Sequence, residues 1–68
     1  MSTINKDFLD SVEKELTNNI VDLSNFDVSK AGQIAKEIIK IIDWNDSTLM
    51  HKGLLWITKN YLIKRKMI

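Results

Sequence analysis

Apolar side chains in this chain recur at steps of three and four residues, and no proline interrupts them. That spacing gathers them on one side of an α-helix, whereas a half-buried strand needs strict alternation. The first segment carries Ile4, Phe8, Leu9, Val12, Leu16, Ile20 and Leu23. The second carries Val28, Ala31, Ile34, Ala35, Ile38, Ile39, Ile41 and Ile42, an arc wide enough to lie against both neighbouring helices. Isoleucine-rich runs also suit strands, and EIIKIID taken alone is ambiguous. The periodic stretch from Val28 to Ile42 covers about fifteen residues, too many for an ordinary strand. Helix is expected, with Lys30, Gln33, Glu37 and Lys40 on its outer face.

Glycine occurs only at Gly32 and Gly53, so helix boundaries must come from capping residues. Asn5 is placed to cap the first helix, with Ile4 and Leu9 as a hydrophobic staple across the cap. Asp7 and Asp10 then sit near the positive end of the helix dipole. In Asp22-Leu23-Ser24-Asn25 the polar side chains compete with the backbone for hydrogen bonds, and the helix should fade there. Asp27, preceded by Phe26, is the expected N-cap of the second helix, and Asp46 or Ser47 that of the third. The prediction is an all-α, compact three-helix domain with helices over about 5–21, 28–42 and 47–65, short connections and one domain across 1–68.

A chain of this length buries only about 60% of its extended surface, so a tight helix core or oligomerisation should reinforce it. Cysteine is absent, which removes disulfides and thiolate zinc sites. The apolar fraction of 44% and charged fraction of 28% are those of a globular domain and argue against disorder. Residues 1–20 are polar and acidic and lack the basic start and apolar run of a secretory signal. The run Leu54-Leu55-Trp56-Ile57 falls far short of the ~20 apolar residues that span a bilayer. A cytoplasmic location without a membrane span is expected. With Met1 in place, the chain reads as a complete small gene product of the kind carried by phages and mobile elements.

The segment MHKGLLWITKNYLIKRKMI, residues 50–68, holds more apolar residues than one helix face accommodates. On a continuous helix, Met50, Leu54, Ile57 and Tyr61 fall within about 60° of one another, joined by Ile68, and form the expected core stripe. Leu49, Trp56, Ile63 and Met67 form a second line about 130° away, and Leu55 and Leu62 lie off the main stripe. Two helices do not easily cover the whole girth of a third. Part of the second line should therefore stay accessible, with Lys52 and Lys59 beside it. A tryptophan among aliphatic residues with a lysine rim has the composition of a protein-binding hot spot. The expected partner-binding residues are Leu49, Lys52, Trp56, Lys59 and Ile63, facing another protein or a second copy in a homodimer. The bland alternatives make Trp56 a core filler and Trp44 a cap on the bottom of the core.

Charge is divided along the chain. Residues 1–48 carry five lysines against nine acids, and residues 49–68 carry four lysines and one arginine with no acid. The simplest expectation is that Asp7, Asp10, Glu13 and Glu15 face the basic C-terminal helix, with Lys64, Arg65 and Lys66 at the negative end of its dipole. A helix-turn-helix contacting nucleic acid through Lys64, Arg65 and Lys66 is the second functional reading. It is weakened by the start of the third helix, where only Ser47, Thr48, His51 and Lys52 offer groups for base edges. The net charge of +1 also gives little counterion release. A helix lying on a lipid surface ranks lower still, because the core needs the same residues. The lone His51 near Asp43 and Asp46 lacks a nucleophile at useful spacing and too few ligands surround it for a metal. No catalytic residue, cofactor, metal or small-molecule substrate is expected, and the chain reads as a non-enzymatic adaptor, inhibitor or accessory factor.

Overall fold

The structure is a computed structural model describing residues 6–68, so the expected Asn5 cap and Ile4 staple lie outside the described residues. All regular structure among the described residues is helical: α1 Lys6–Ser24, α2 Val28–Ile41, α3 Ser47–Lys52 and α4 Leu54–Lys64. No helix among them is long and apolar enough to cross a membrane.

Side chains close the end of α1 and the starts of α2 and α3. The first helix continues past its expected end near residue 21 because Ser24 Oγ donates to the Ile20 carbonyl at 2.5 Å instead of unwinding the turn. Asn25 then takes a left-handed φ of 63° and donates its N–H to the Val21 carbonyl at 3.0 Å. Asparagine adopts this conformation more readily than most residues. Asp27 Oδ1 accepts the Lys30 N–H at 2.8 Å and starts α2, and Asp46 Oδ1 accepts the Leu49 N–H at 3.1 Å and starts α3. Beyond α4, Lys66 is left-handed at φ 57°, with Lys66 N–H bonded to the Ile63 carbonyl and Met67 N–H to the Leu62 carbonyl. This is a Schellman closure, and Met67 packs back onto the core as that motif favours.

The expected single helix over 47–65 is two helices, and Gly53 is the reason. Its backbone sits at φ 90°, ψ 163°, a region that essentially only glycine occupies. Its N–H closes α3 on the Met50 carbonyl at 3.2 Å, while its carbonyl accepts the Ile57 N–H at 3.1 Å and opens α4. The wheel drawn through residues 47–65 therefore loses its register. Of the expected stripe, Ile57 is buried, Met50, Leu54 and Tyr61 are half-buried, and Ile68 is 48% exposed. Leu62, expected off the stripe, is wholly buried together with Thr58. The inner face of α4 is Leu54, Ile57, Thr58, Tyr61 and Leu62, one continuous helical row. Thr58 fits there because its hydroxyl donates to the Leu54 carbonyl at 2.7 Å.

Val12, Leu16 and Ile20 of α1 enter one core with Ala31, Ile34, Ala35 and Ile38 of α2 and with Ile57 and Leu62 of α4. The packing is uneven. The first helix lies against both α2 and α4, α3 touches α4, and α2 and α4 make little direct backbone contact. The expectation that α2 lies against both neighbours is thus corrected: it is built onto α1 through the small Ala31 and Ala35, and Val28 and Ile41 stay exposed. The molecule has extents of 36 × 23 × 15 Å, and α1 is the helix that contacts both α2 and α4. Acidic α1 does adjoin basic α4, but no ion pair joins them among the described residues. The ion pair present is Glu37–Lys40, 3.8 Å apart and within α2. Solvated surface charges gain too little from pairing to fix such contacts.

One polar group in the interior is unsatisfied. Asn19 Nδ2 is buried and has no acceptor among the described residues. Replacing such a group by an apolar one of similar size removes a desolvation penalty, so Asn19→Leu should raise stability by about 1 kcal/mol in urea denaturation. The two glycines should respond in opposite senses. A Cβ at either meets nothing within 4 Å, so backbone conformation alone decides. Gly53→Ala should destabilise by about 1–3 kcal/mol, and Gly32→Ala, inside a regular helix, should stabilise by up to about 1 kcal/mol. Urea titration followed by circular dichroism measures both.

Candidate docking face

The C-terminal end of α2 and the whole of α4 converge on a groove opposite α1. It has a volume of about 260 Å³ and is lined by Ile41, Ile42, Leu49, Trp56, Ile57, Asn60, Tyr61 and Lys64. Ile42 and Ile57 belong to the core and form its base, so the groove opens directly onto buried apolar surface. A second depression continues it along the same seam, from Tyr61 to Gln33 and Met67. Both exist because α2 and α4 diverge from a shared contact with α1.

Trp56 borders the groove at 41% exposure and Ile41 faces it from α2 at 59%. Lys52 Nζ stands 4.5 Å from the centre of the Trp56 ring, a cation–π contact that fixes the indole without covering it. The pair spans the Gly53 bend, with the lysine on α3 and the ring on α4. Leu49 of α3 is half-buried and packs against the core beside Trp56. Lys59 and Ile63 occupy the outward side of α4, one and two turns beyond Trp56, with Ile63 53% exposed. The five expected partner-binding residues thus divide: Leu49, Lys52 and Trp56 gather at the groove, and Lys59 and Ile63 extend the surface away from it.

The three residues expected at nucleic acid also separate. Lys64 lines the groove, Arg65 folds its guanidinium 4.9 Å from the Tyr61 ring centre, and Lys66 belongs to the helix closure. Ile41, Asn60 and Tyr61 belong to the groove and were not singled out from the sequence. Ile41 had a readable signal, since Ile41 and Ile42 are adjacent and one helix stripe cannot bury both.

Elsewhere, Trp44 is half-buried against the core and meets Phe8 edge-on, with ring centres 5.7 Å apart at 71°. It closes the end of the core, as expected of it. His51 is exposed in the last turn of α3, and among the described residues no three metal-ligating side chains converge. Comparison with protein-family models finds no match, and neither does comparison with curated proteins or with solved structures.

The exposures of Trp56 and Leu62 set a paired test. Trp56→Ala should keep the helical circular dichroism and cost about 1 kcal/mol or less, the scale of an exposed cation–π contact. Leu62→Ala should cost about 2–5 kcal/mol, a large part of what a domain of this size possesses. Urea titration separates the two, and a Trp56→Ala variant that unfolds would return that ring to the core.

Proposed function

We propose that this protein is a non-enzymatic binding module, a small adaptor, inhibitor or accessory factor that acts by occupying a surface of a larger protein. The observation that carries this reading is Trp56: a large indole, 41% exposed, braced by Lys52 and set at the edge of a groove with Ile41 on its far side. Hot spots are built this way, with an aromatic anchor at an apolar centre and charge kept to the rim. Isolated exposed aliphatics need no explanation, but Ile41 and Trp56 border one concave surface, and Ile63 continues the exposed apolar area along the outward side of α4.

Nucleic-acid binding through a helix-turn-helix ranks second. The first turn of α4 is Leu54-Leu55-Trp56-Ile57, which offers little to the hydrogen-bonding edges of bases. Lys64 and Arg65 are turned toward the groove and the Tyr61 ring, not arrayed in a strip that tracks phosphates.

Affinity capture from nuclease-treated lysate, with the wild type beside a Trp56→Ala/Ile63→Ala variant, tests the proposal. The wild type should retain at least one protein that the folded double variant loses. Retention indifferent to the two substitutions, or abolished by nuclease, overturns it.

A further inference from the structure

We infer that the occupant of the α2–α4 groove is an acidic amphipathic helix, which completes a four-helix bundle with this protein. The inference rests on the binding-module reading and adds the chemistry of the partner. Both α2 and α4 contact α1, and the gap lies between these two, which barely meet. A fourth helix laid along that seam packs its ridges into the grooves of both, the arrangement by which helical bundles close. The seam extends beside α2 from Gln33 to Ile42, the length of about three turns of a partner helix.

Charge selects which helix. Lys52 stands over the Trp56 ring and Lys64 lines the groove, with Lys59 on the next turn outward, and none has an anionic partner among the described residues. Three carboxylates on α2 and in the turn after it already have partners within the chain. Glu37 lies against Lys40 at 3.8 Å, Asp43 Oδ1 accepts the Asn45 N–H at 3.0 Å, and Asp46 Oδ1 accepts the Leu49 N–H at 3.1 Å. An incoming helix therefore meets apolar side chains at Ile41, Trp56 and Ile57, then a mixed stretch where Ile34, Tyr61 and Met67 stand beside Lys36, Glu37 and Lys40, with cations outnumbering the one carboxylate. Leucine or isoleucine at i, i+3, i+4 and i+7, flanked by glutamate or aspartate, matches both.

A second copy of this chain does not. A two-fold contact through the groove brings together two surfaces that each carry Lys52, Lys59 and Lys64, so like charges gather at the interface. The acidic helix α1 of another copy is no substitute, because its apolar row Val12, Leu16 and Ile20 is consumed in its own core.

The test uses the full-length protein and two synthetic helical peptides sharing one Leu/Ile row, one flanked by glutamate and the other by lysine. Backbone amide shifts report where each binds. The glutamate peptide should shift Ile41, Ile42 and Trp56 through Lys64, with a Kd roughly tenfold or more below that of the lysine peptide. Its affinity should fall as salt rises. A Lys52→Glu/Lys64→Glu variant that retains its circular dichroism should reverse the preference. Equal affinities, shifts confined to other surfaces, or no saturation below about 1 mM overturn the inference. So does a DNA duplex that binds these residues more tightly than the glutamate peptide. A wild-type dimer in sedimentation that Trp56→Ala returns to monomer overturns it as well, by making the second copy the occupant. Trp56-dependent protein capture without a glutamate preference would remove the acidic helix and leave the docking reading intact. Capture indifferent to Trp56 would remove the docking reading itself.

Discussion

Val12, Leu16 and Ile20 form a row one side chain wide, and α1 must serve two helices with it. Every other feature of the arrangement follows from that economy. The second helix buries Ala31, Ile34, Ala35 and Ile38 in the same core, the two alanines being small enough to permit close approach. The fourth helix approaches the same row with Ile57, Thr58 and Leu62. Both partners are oriented toward α1 and not toward each other. The side of the bundle opposite α1 is consequently left open, and the core shows there as a groove instead of being sealed. A chain this short has few residues with which to close it.

Gly53 determines which side chains border that opening. A continuous helix from Ser47 onward would carry Leu49, Lys52 and Trp56 along with α4 as one rigid rod. The glycine bend lets α3 turn back on α4 while keeping both hydrogen-bond ladders satisfied at the joint. Across the bend Lys52 stays over the Trp56 ring and Leu49 lines the groove with it. The same bend releases α4 to rotate its own inner row onto α1. Local backbone chemistry at one position therefore fixes both the C-terminal half of the core and the composition of the exposed face.

Local signals were legible in the sequence where the physics is local. Asp27 and Asp46 cap the helices they were expected to cap, because an N-cap needs only a short acceptor side chain and the next three residues. The rows of α1 and α2 were legible from spacing alone. The failures were of two kinds. A single glycine inside an apolar helical pattern is compatible with either a continuous helix or a break, and only tertiary packing decides, so the 47–65 helix and the wheel drawn on it were wrong together. Leu62 moved from the flank into the core as a direct result. The second kind concerns contacts between distant elements. Whether Ile41 is covered by α4, or whether Asp10 pairs with a C-terminal lysine, depends on interhelical angles that no residue spacing encodes. Of the candidate face, the surplus of apolar girth around Trp56 was legible. Ile41 was legible only as a residue that the α2 stripe could not bury along with Ile42, and the placement of Lys64 in the groove was not legible.

The division of charge acquires a structural meaning at this point. With acids in residues 1–48 and bases in 49–68, a simple expectation is mutual neutralisation within the fold, yet no ion pair crosses between the two sets among the described residues. Two of the acids instead do backbone work: Asp27 and Asp46 hold N–H groups at helix starts, where a carboxylate also complements the helix dipole. The C-terminal cations have no equivalent task beyond the last turn of α4. Lys52 and Arg65 rest on aromatic rings, an arrangement that leaves their charge available to solvent or to an incoming anion. Two acidic groups thus help to build helices, while Lys52 and Lys64 stand at the α2–α4 groove with their charge free. An apolar groove alone would attract any greasy segment. Under the proposed docking reading, these cations would add discrimination by charge to discrimination by shape, which is how a surface of only a few turns can be selective.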